Sequence, residues 1–329
     1  MKVDSERIIF RNRASAVLHD FLKIKKGKGI FLLPANICPI VPMVFLKLNI
    51  KFELVDIENI TYSIDLVEVK NKIEKSPNKY AGLLFVNSYG ASVKIGMQLK
   101  NLKNLNKNFI LIHDKCLSYP EYNAEYDIVD LTLFSTGYGK VVNINYGGYG
   151  IIHKKNNDID RLCNINLSYK EVYLKELEFN YKKSLNTKNI FIYKDSNWLD
   201  LRKPKITFKD YTLEIEKKIE KIKNHKNKLN RFYDENINKE FQRGISNLWR
   251  YNIIVSNPDK VIAKIFQKGL FASQHYSSLT SIFKNETAIN AENLEKKVIN
   301  IFNDLNVDES YSIEIIKIIN KYAINNKNR

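Results

Sequence analysis

The chain has 329 residues, 44% of them hydrophobic, which is room for about two domains with a sizeable core. Its net charge of +17 comes from lysines dispersed among asparagines and isoleucines, without an arginine-rich block or an aromatic-basic module; this argues against nucleic-acid binding and for a phosphorylated substrate or cofactor. Cys38, Cys116 and Cys163 form no CxxC pair, so neither a disulfide framework nor a zinc site is expected, and a charged N-terminus without any apolar run near ~20 residues points to a cytoplasmic protein with no signal peptide or membrane span.

In chain order, Asn12-Arg13-Ala14-Ser15-Ala16 precedes a helical pattern over 17–22. A small-residue turn that opens a helix directs free N–H groups and a positive dipole end outward, which suits a phosphate and equally suits an ordinary N-cap. Residues 30–33 form a buried-strand signal, broken by 34–39 before a helix over 41–48 and a strand over 52–56. A helix over 66–73, a strand over 81–86, a turn at Asn87-Ser88-Tyr89-Gly90, a helix over 97–105 and a strand over 109–113 follow. Strands that are apolar throughout and alternate with short helices predict an α/β fold whose mostly parallel sheet is covered by helices on both faces. In such sheets ligands sit beyond the carboxyl ends of the strands.

Asp114 falls at that position. Another strand over 131–134 ends at Ser135 and leads through Gly137 and Gly139 to Lys140; Gly147 and Gly148 then open a strand over 149–152. Glycines let the backbone approach a phosphate, the Ser135 hydroxyl can donate to it, and a lysine in a partly dry pocket can act as a nucleophilic amine. Taken singly, a lysine-rich chain puts a lysine after a glycine by chance, and an Asp after a strand is a common helix cap. The pair carries more: a carboxylate and a lysine at one sheet edge suit pyridoxal 5'-phosphate chemistry. The aspartate keeps the pyridine nitrogen protonated; the lysine carries the aldehyde and later moves the proton.

The pattern is poor over 154–207 apart from a helix over 174–185. The turn at Lys203-Pro204-Lys205 predicts a boundary between a large domain, 1–204, and a smaller C-terminal α/β domain, 205–329. The latter should hold a long charged helix over 213–232, a strand over 249–255, a helix over 258–268, a strand over 270–276, and helices over 291–305 and 312–323. The last few residues read as a disordered basic tail.

Taken together, Leu33-Pro34-Ala35-Asn36-Ile37-Cys38-Pro39, Val55-Asp56-Ile57, Val86-Asn87-Ser88-Tyr89-Gly90, His113-Asp114-Lys115-Cys116, the run from Phe134-Ser135 through Lys140 to Gly147-Gly148, and His275-Tyr276 resemble the sugar-aminotransferase family named after DegT and StrS. The resemblance covers about 12–322. It implies the aspartate-aminotransferase fold, Lys140 as the Schiff-base lysine, Asp114 paired with the pyridinium nitrogen, and Ser135 with Arg13-Ala14-Ser15 on the cofactor phosphate. Cys38 stands where the family often places an aromatic ring against the cofactor, and Leu117 where it usually has a glutamine or histidine near the phenolic oxygen. Asn180, in Asn180-Tyr181-Lys182, falls about where the family's Asn-Tyr-Arg segment serves the neighbouring subunit; lysine lacks arginine's forked contact.

The resemblance implies transamination of a nucleotide-linked keto sugar with an amino-acid donor such as glutamate, for a surface polysaccharide or glycoconjugate, in a homodimer. Tyr89, Arg250, His275 and Tyr276 are candidate substrate contacts. Another reaction of the same cofactor, decarboxylation of an amino acid or dehydration of a sugar, stands beside it, as does a binding or scaffold protein that kept the fold.

Overall fold

The computed structural model describes residues 7–25, 27–122, 128–153, 169–242, 244–283 and 287–325. The charged start of the chain, Cys163, the first part of the unpatterned 154–207 stretch and the basic tail lie outside the described residues.

The large sheet contains β1 (Ile8–Arg11), β2 (Ile30–Pro34), β3 (Phe52–Val55), β4 (Tyr80–Val86), β5 (Ile110–Asp114), β6 (Leu131–Ser135) and β7 (Gly148–Ile152), in the order β1-β7-β6-β5-β4-β2-β3. Strands β3, β2, β4, β5 and β6 run parallel, whereas β7 is antiparallel to both β6 and β1. Alternate side chains leave opposite faces of a strand. Phe31, Leu33, Leu84 and Ile112 therefore pack in one core with α1 (Ala14–Lys25) and α2 (Ile40–Lys47), while Leu32, Leu83, Phe85 and Leu111 pack in another with α3 (Leu66–Lys75) and α4 (Gly96–Leu105). Burying a Leu or Phe fully is worth ~1.5–3 kcal/mol, so a sheet covered on both sides favours apolar residues at every position. That is the physical origin of the unbroken apolar strands in the sequence.

After α5 (Glu171–Thr187) comes α6 (Phe208–Asn236), whose start is fixed by Thr207, its hydroxyl accepting from Asp210 N at 3.1 Å. The first half of α6 places Tyr211, Ile215 and Ile222 against Phe134, Tyr149 and Ile151 of the large sheet. Its second half places Leu229 and Tyr233 in a separate core with β8 (Tyr251–Ile254), α7 (Pro258–Gln267), β10 (Val298–Ile301) and α9 (Glu309–Tyr322). With β9 (Ala272–Ser273), the smaller sheet has the order β8-β10-β9 and is antiparallel.

Two local expectations need correction, and one strand was not anticipated. The helix expected over 291–305 is a short helix, α8 (Ile289–Glu295), followed by β10; Val298, Ile299 and Ile301 are fully buried, and β-branched runs this short fit strand and helix periods alike. The strand expected over 270–276 shrinks to β9, because His275 N leaves the ladder and donates to the Asn300 side chain at 2.7 Å. β1 was missed; it is held by β7, a partner far away in sequence.

Candidate active site

Strand register fixes the first two site residues. Asp114 ends β5 and pairs with Leu133 of β6; two residues on, Ser135 ends β6 opposite Gly148. No helix follows Asp114, so it is not a helix cap: its carboxylate accepts from Cys116 N at 2.8 Å within a turn. Beyond β6 the chain loops out and back to β7, and this loop carries Lys140. Thr136 holds its base, bonding Tyr146 O at 2.7 Å and the Tyr211 hydroxyl at 2.6 Å. Gly139 adopts φ +71°, the left-handed region that favours glycine, and its carbonyl accepts from the Trp249 indole at 2.6 Å.

Lys140 and Asp114 line one cavity, together with Cys38, Leu117, Tyr89 and Tyr276. Free space among these groups is about 30 Å³. A larger cavity of about 660 Å³ lies elsewhere, walled by Leu46, Phe52, Ile190 and Phe283. Lys51 and Glu53 also line it, but at the start of β3 and not at a strand's carboxyl end.

Burial and neighbouring charges act together on the groups in and around this cavity. Burial pushes the Cys38 thiol up, with Lys140 pulling it down and Asp114 pushing it further up. Burial raises Cys116 too, again with Asp114 and Lys140 acting in opposite directions. The Tyr276 and Tyr89 phenols are likewise raised by burial, so both stay protonated. His275 is pushed down to about 4 by burial and by the cations Arg250, Lys182 and Lys140, which leaves a neutral imidazole at neutral pH.

The start of α1 lies against β7; neither it nor Ser135 lines the cavity itself. A Cβ on Gly148 would run into the backbone N and Cα of Ala14, so glycine lets the helix end close onto β7, one strand from Ser135. The Arg13 carbonyl accepts from Ala16 N at 3.1 Å, while the first amides of the helix, at Ala14 and Ser15, have no acceptor within the helix. Arg13 itself is exposed and acts on Tyr169 and Glu171.

Of the candidate substrate contacts, Tyr89 and Tyr276 line the cavity, though the Tyr89 hydroxyl is spent on the His275 carbonyl at 2.7 Å. Arg250 adjoins the cavity, sandwiched between the rings of Trp249 at 4.3 Å and Phe302 at 4.0 Å and donating to the Ser273 hydroxyl. Asn180 is exposed on α5 and does not line the chain's own cavity. Its neighbour Tyr181 is buried, and burial raises its phenol, with Cys38 and Tyr276 raising it further. The buried pair Leu177 and Tyr181, one helical turn apart, was the signal for this face of α5. Trp249 is the other residue that the sequence did not single out.

No family model matches the sequence, and no curated protein matches it. Solved structures do. An aminotransferase of the DegT/DnrJ/EryC1/StrS group from Brucella abortus superposes with a TM-score of 0.68 at 12% identity, covering 96% of this chain and 85% of that one. The chain has the fold of these aminotransferases. The sugar aminotransferase CalS13 from Micromonospora echinospora gives 0.68 at 15% identity over 96% and 87% of the two chains. Spr1654 from Streptococcus pneumoniae, in its PMP form, gives 0.68 at 13% identity over 95% and 87%. Asp114 ends β5, Lys140 follows in the loop after the neighbouring parallel strand β6, and both line the cavity with Cys38 and Leu117.

Proposed function

We propose that this chain is a pyridoxal-phosphate-dependent aminotransferase that transfers an amino group from an amino-acid donor, glutamate or a relative, to the keto group of a nucleotide-linked sugar. The observation that carries the reading is the convergence of Lys140 and Asp114 on one cavity. The residues present fit the cofactor: an amine, a carboxylate, a buried Ser135 hydroxyl, and a helix N-terminus brought close by a glycine whose place no larger residue can take. When bound, pyridoxal phosphate supplies an electron sink for the charge that develops on the substrate carbon. Lys140 Nζ would hold the aldehyde carbon and, once released, move a proton at the donor's α carbon. Asp114 would keep the proton on the ring nitrogen. Ser135, with the Ala14 and Ser15 amides, would bind the phosphate.

The sugar substrate is supported by the fold neighbours, of which CalS13 is a sugar aminotransferase, and by the net charge of +17, which favours two phosphorylated ligands. The pathway in view is amino-sugar formation for a surface glycan. Exposed Asn180 on α5 supports a homodimer in which this helix reaches a second copy. Cys38 and Leu117 in the cavity walls favour a second reading, in which the same cofactor supports decarboxylation of an amino acid or dehydration of a sugar.

Reconstitution with pyridoxal phosphate separates these. The wild-type chain should gain an absorbance near the visible edge that Lys140→Ala lacks, and glutamate should convert it to the amine form of the cofactor. A loaded protein that no amino acid converts would favour the second reading. A chain that stays colourless would leave a scaffold that kept the fold.

A further inference from the structure

Lys226 is buried in α6 and has no carboxylate within ion-pair distance among the described residues. Its Nζ donates to the Trp249 carbonyl at 2.8 Å and to Asn303 Oδ1 at 2.5 Å. Asn303 is itself fixed, donating to Asn230 Oδ1 at 2.8 Å and to Asn247 O at 3.1 Å. A methionine would fill the same space without desolvating an amine, so the position is explained by the two acceptors it joins. Trp249 has its backbone N on Tyr89 O at 3.3 Å and its ring stacked on Tyr276 with centroids 5.8 Å apart. Its indole N–H reaches the Gly139 carbonyl, one residue from Lys140.

We propose that Lys226 is a positioning residue for Lys140: by fixing the Trp249 carbonyl it aims the indole N–H at Gly139 and so sets the direction in which the Lys140 amine leaves its loop. This rests on the role given to Lys140 above, and it adds a residue more than one hydrogen bond away from the cavity. The link is sensitive to protonation. Burial brings Lys226 down to about 7, with Asp304 raising it and Arg250 lowering it. An ammonium is the stronger donor, so the hold on Trp249 weakens as pH rises through that value. The other titratable groups nearby are His225, whose Nε2 bonds the Asp304 carbonyl at 2.8 Å, and His275, whose ring lies 6.0 Å from Trp249.

The chain has two tryptophans, so Trp198→Phe leaves Trp249 as the lone tryptophan of the cofactor-free protein, excited at the red edge where tyrosine does not absorb. Its emission should change with a midpoint near pH 7. That transition should persist in His225→Gln, move to higher pH in Asn303→Asp, where a carboxylate favours the charged lysine, and vanish in Lys226→Met. A transition that survives in Lys226→Met, or stays in place in Asn303→Asp, overturns the link. The second arm measures how fast Lys140 condenses with pyridoxal phosphate, losing water, by trapping the adduct with borohydride and weighing it. Lys226→Met and Trp249→Phe, which keeps the ring and removes the N–H, should each slow trapping by about ten- to hundredfold. Unchanged rates in Trp249→Phe overturn the positioning role even if Lys226→Met fails to fold. A wild-type chain that forms no adduct sinks instead the function proposed for Lys140, while the emission arm still decides whether Lys226 governs Trp249.

Discussion

At the residue level, the buried amine of Lys226 also couples folding to pH. In the unfolded chain it holds its proton up to its ordinary value of 10.5; in the folded chain it gives it up at about 7. Between those values the unfolded state binds more protons, so stability rises with pH across that window, and below about 7 the full cost of burying the charge is present. By linkage the span corresponds to at most about 5 kcal/mol. Urea midpoints at pH 6.5, 8 and 9.5 should therefore climb in the wild type relative to Lys226→Met. Two parallel curves would show that Lys226 does not titrate in this window.

At the level of elements, the decisive contact is between the start of α1 and β7. Gly148 and Gly150 both face this helix, but what an added methyl would meet differs. At Gly150 the obstacles are side chains, Leu131 Cδ1 at 2.6 Å and Val17 Cγ1 at 2.7 Å; at Gly148 they are the backbone of Arg13 and Ala14. Side chains can turn away, whereas backbone moves only with its helix. Gly148→Ala should cost about 1–3 kcal/mol, in the range of overpacked cores, and should weaken phosphate binding because it displaces the Ala14 and Ser15 amides. Gly150→Ala should leave phosphate affinity intact. Equilibrium dialysis with pyridoxal phosphate, run beside urea denaturation, reads both effects; equal affinities in the two variants would remove α1 from the phosphate site.

On the scale of the whole molecule, α5 presents Val172 and Phe179 to solvent at 62% and 67% exposure, with Ile192 nearby in sequence at 78%. Val172 and Phe179, seven residues apart, lie on one stripe of the helix beside exposed Asn180, which fits an interface between two copies. Light scattering should return twice the mass of the chain for the wild type and the single mass for Phe179→Glu. A wild type that scatters as one chain would remove the homodimer and with it the role of Asn180 toward a second subunit.

Several features of the fold were readable along the chain because their physics is local. Apolar runs such as 81–86 and 109–113 announce strands buried on both faces, and the punctuation by glycine, proline and short helices announces parallel crossovers. Asp114, Ser135 and Lys140 could be proposed for the same reason, since the first two close strands and the third follows in the glycine-rich loop after one. What local pattern could not supply was partnership. β10 reads as the tail of a helix until the small sheet claims it, and only packing shows that Tyr181, beside exposed Asn180 on α5, turns inward. Trp249 and Lys226 are unremarkable in the sequence, and acquire meaning only where α6, the small sheet and the Lys140 loop meet. The sequence by itself determined which residues could be buried and which could react; the tertiary structure alone decided which of them touch, because contacts between distant segments depend on the packing of the whole core.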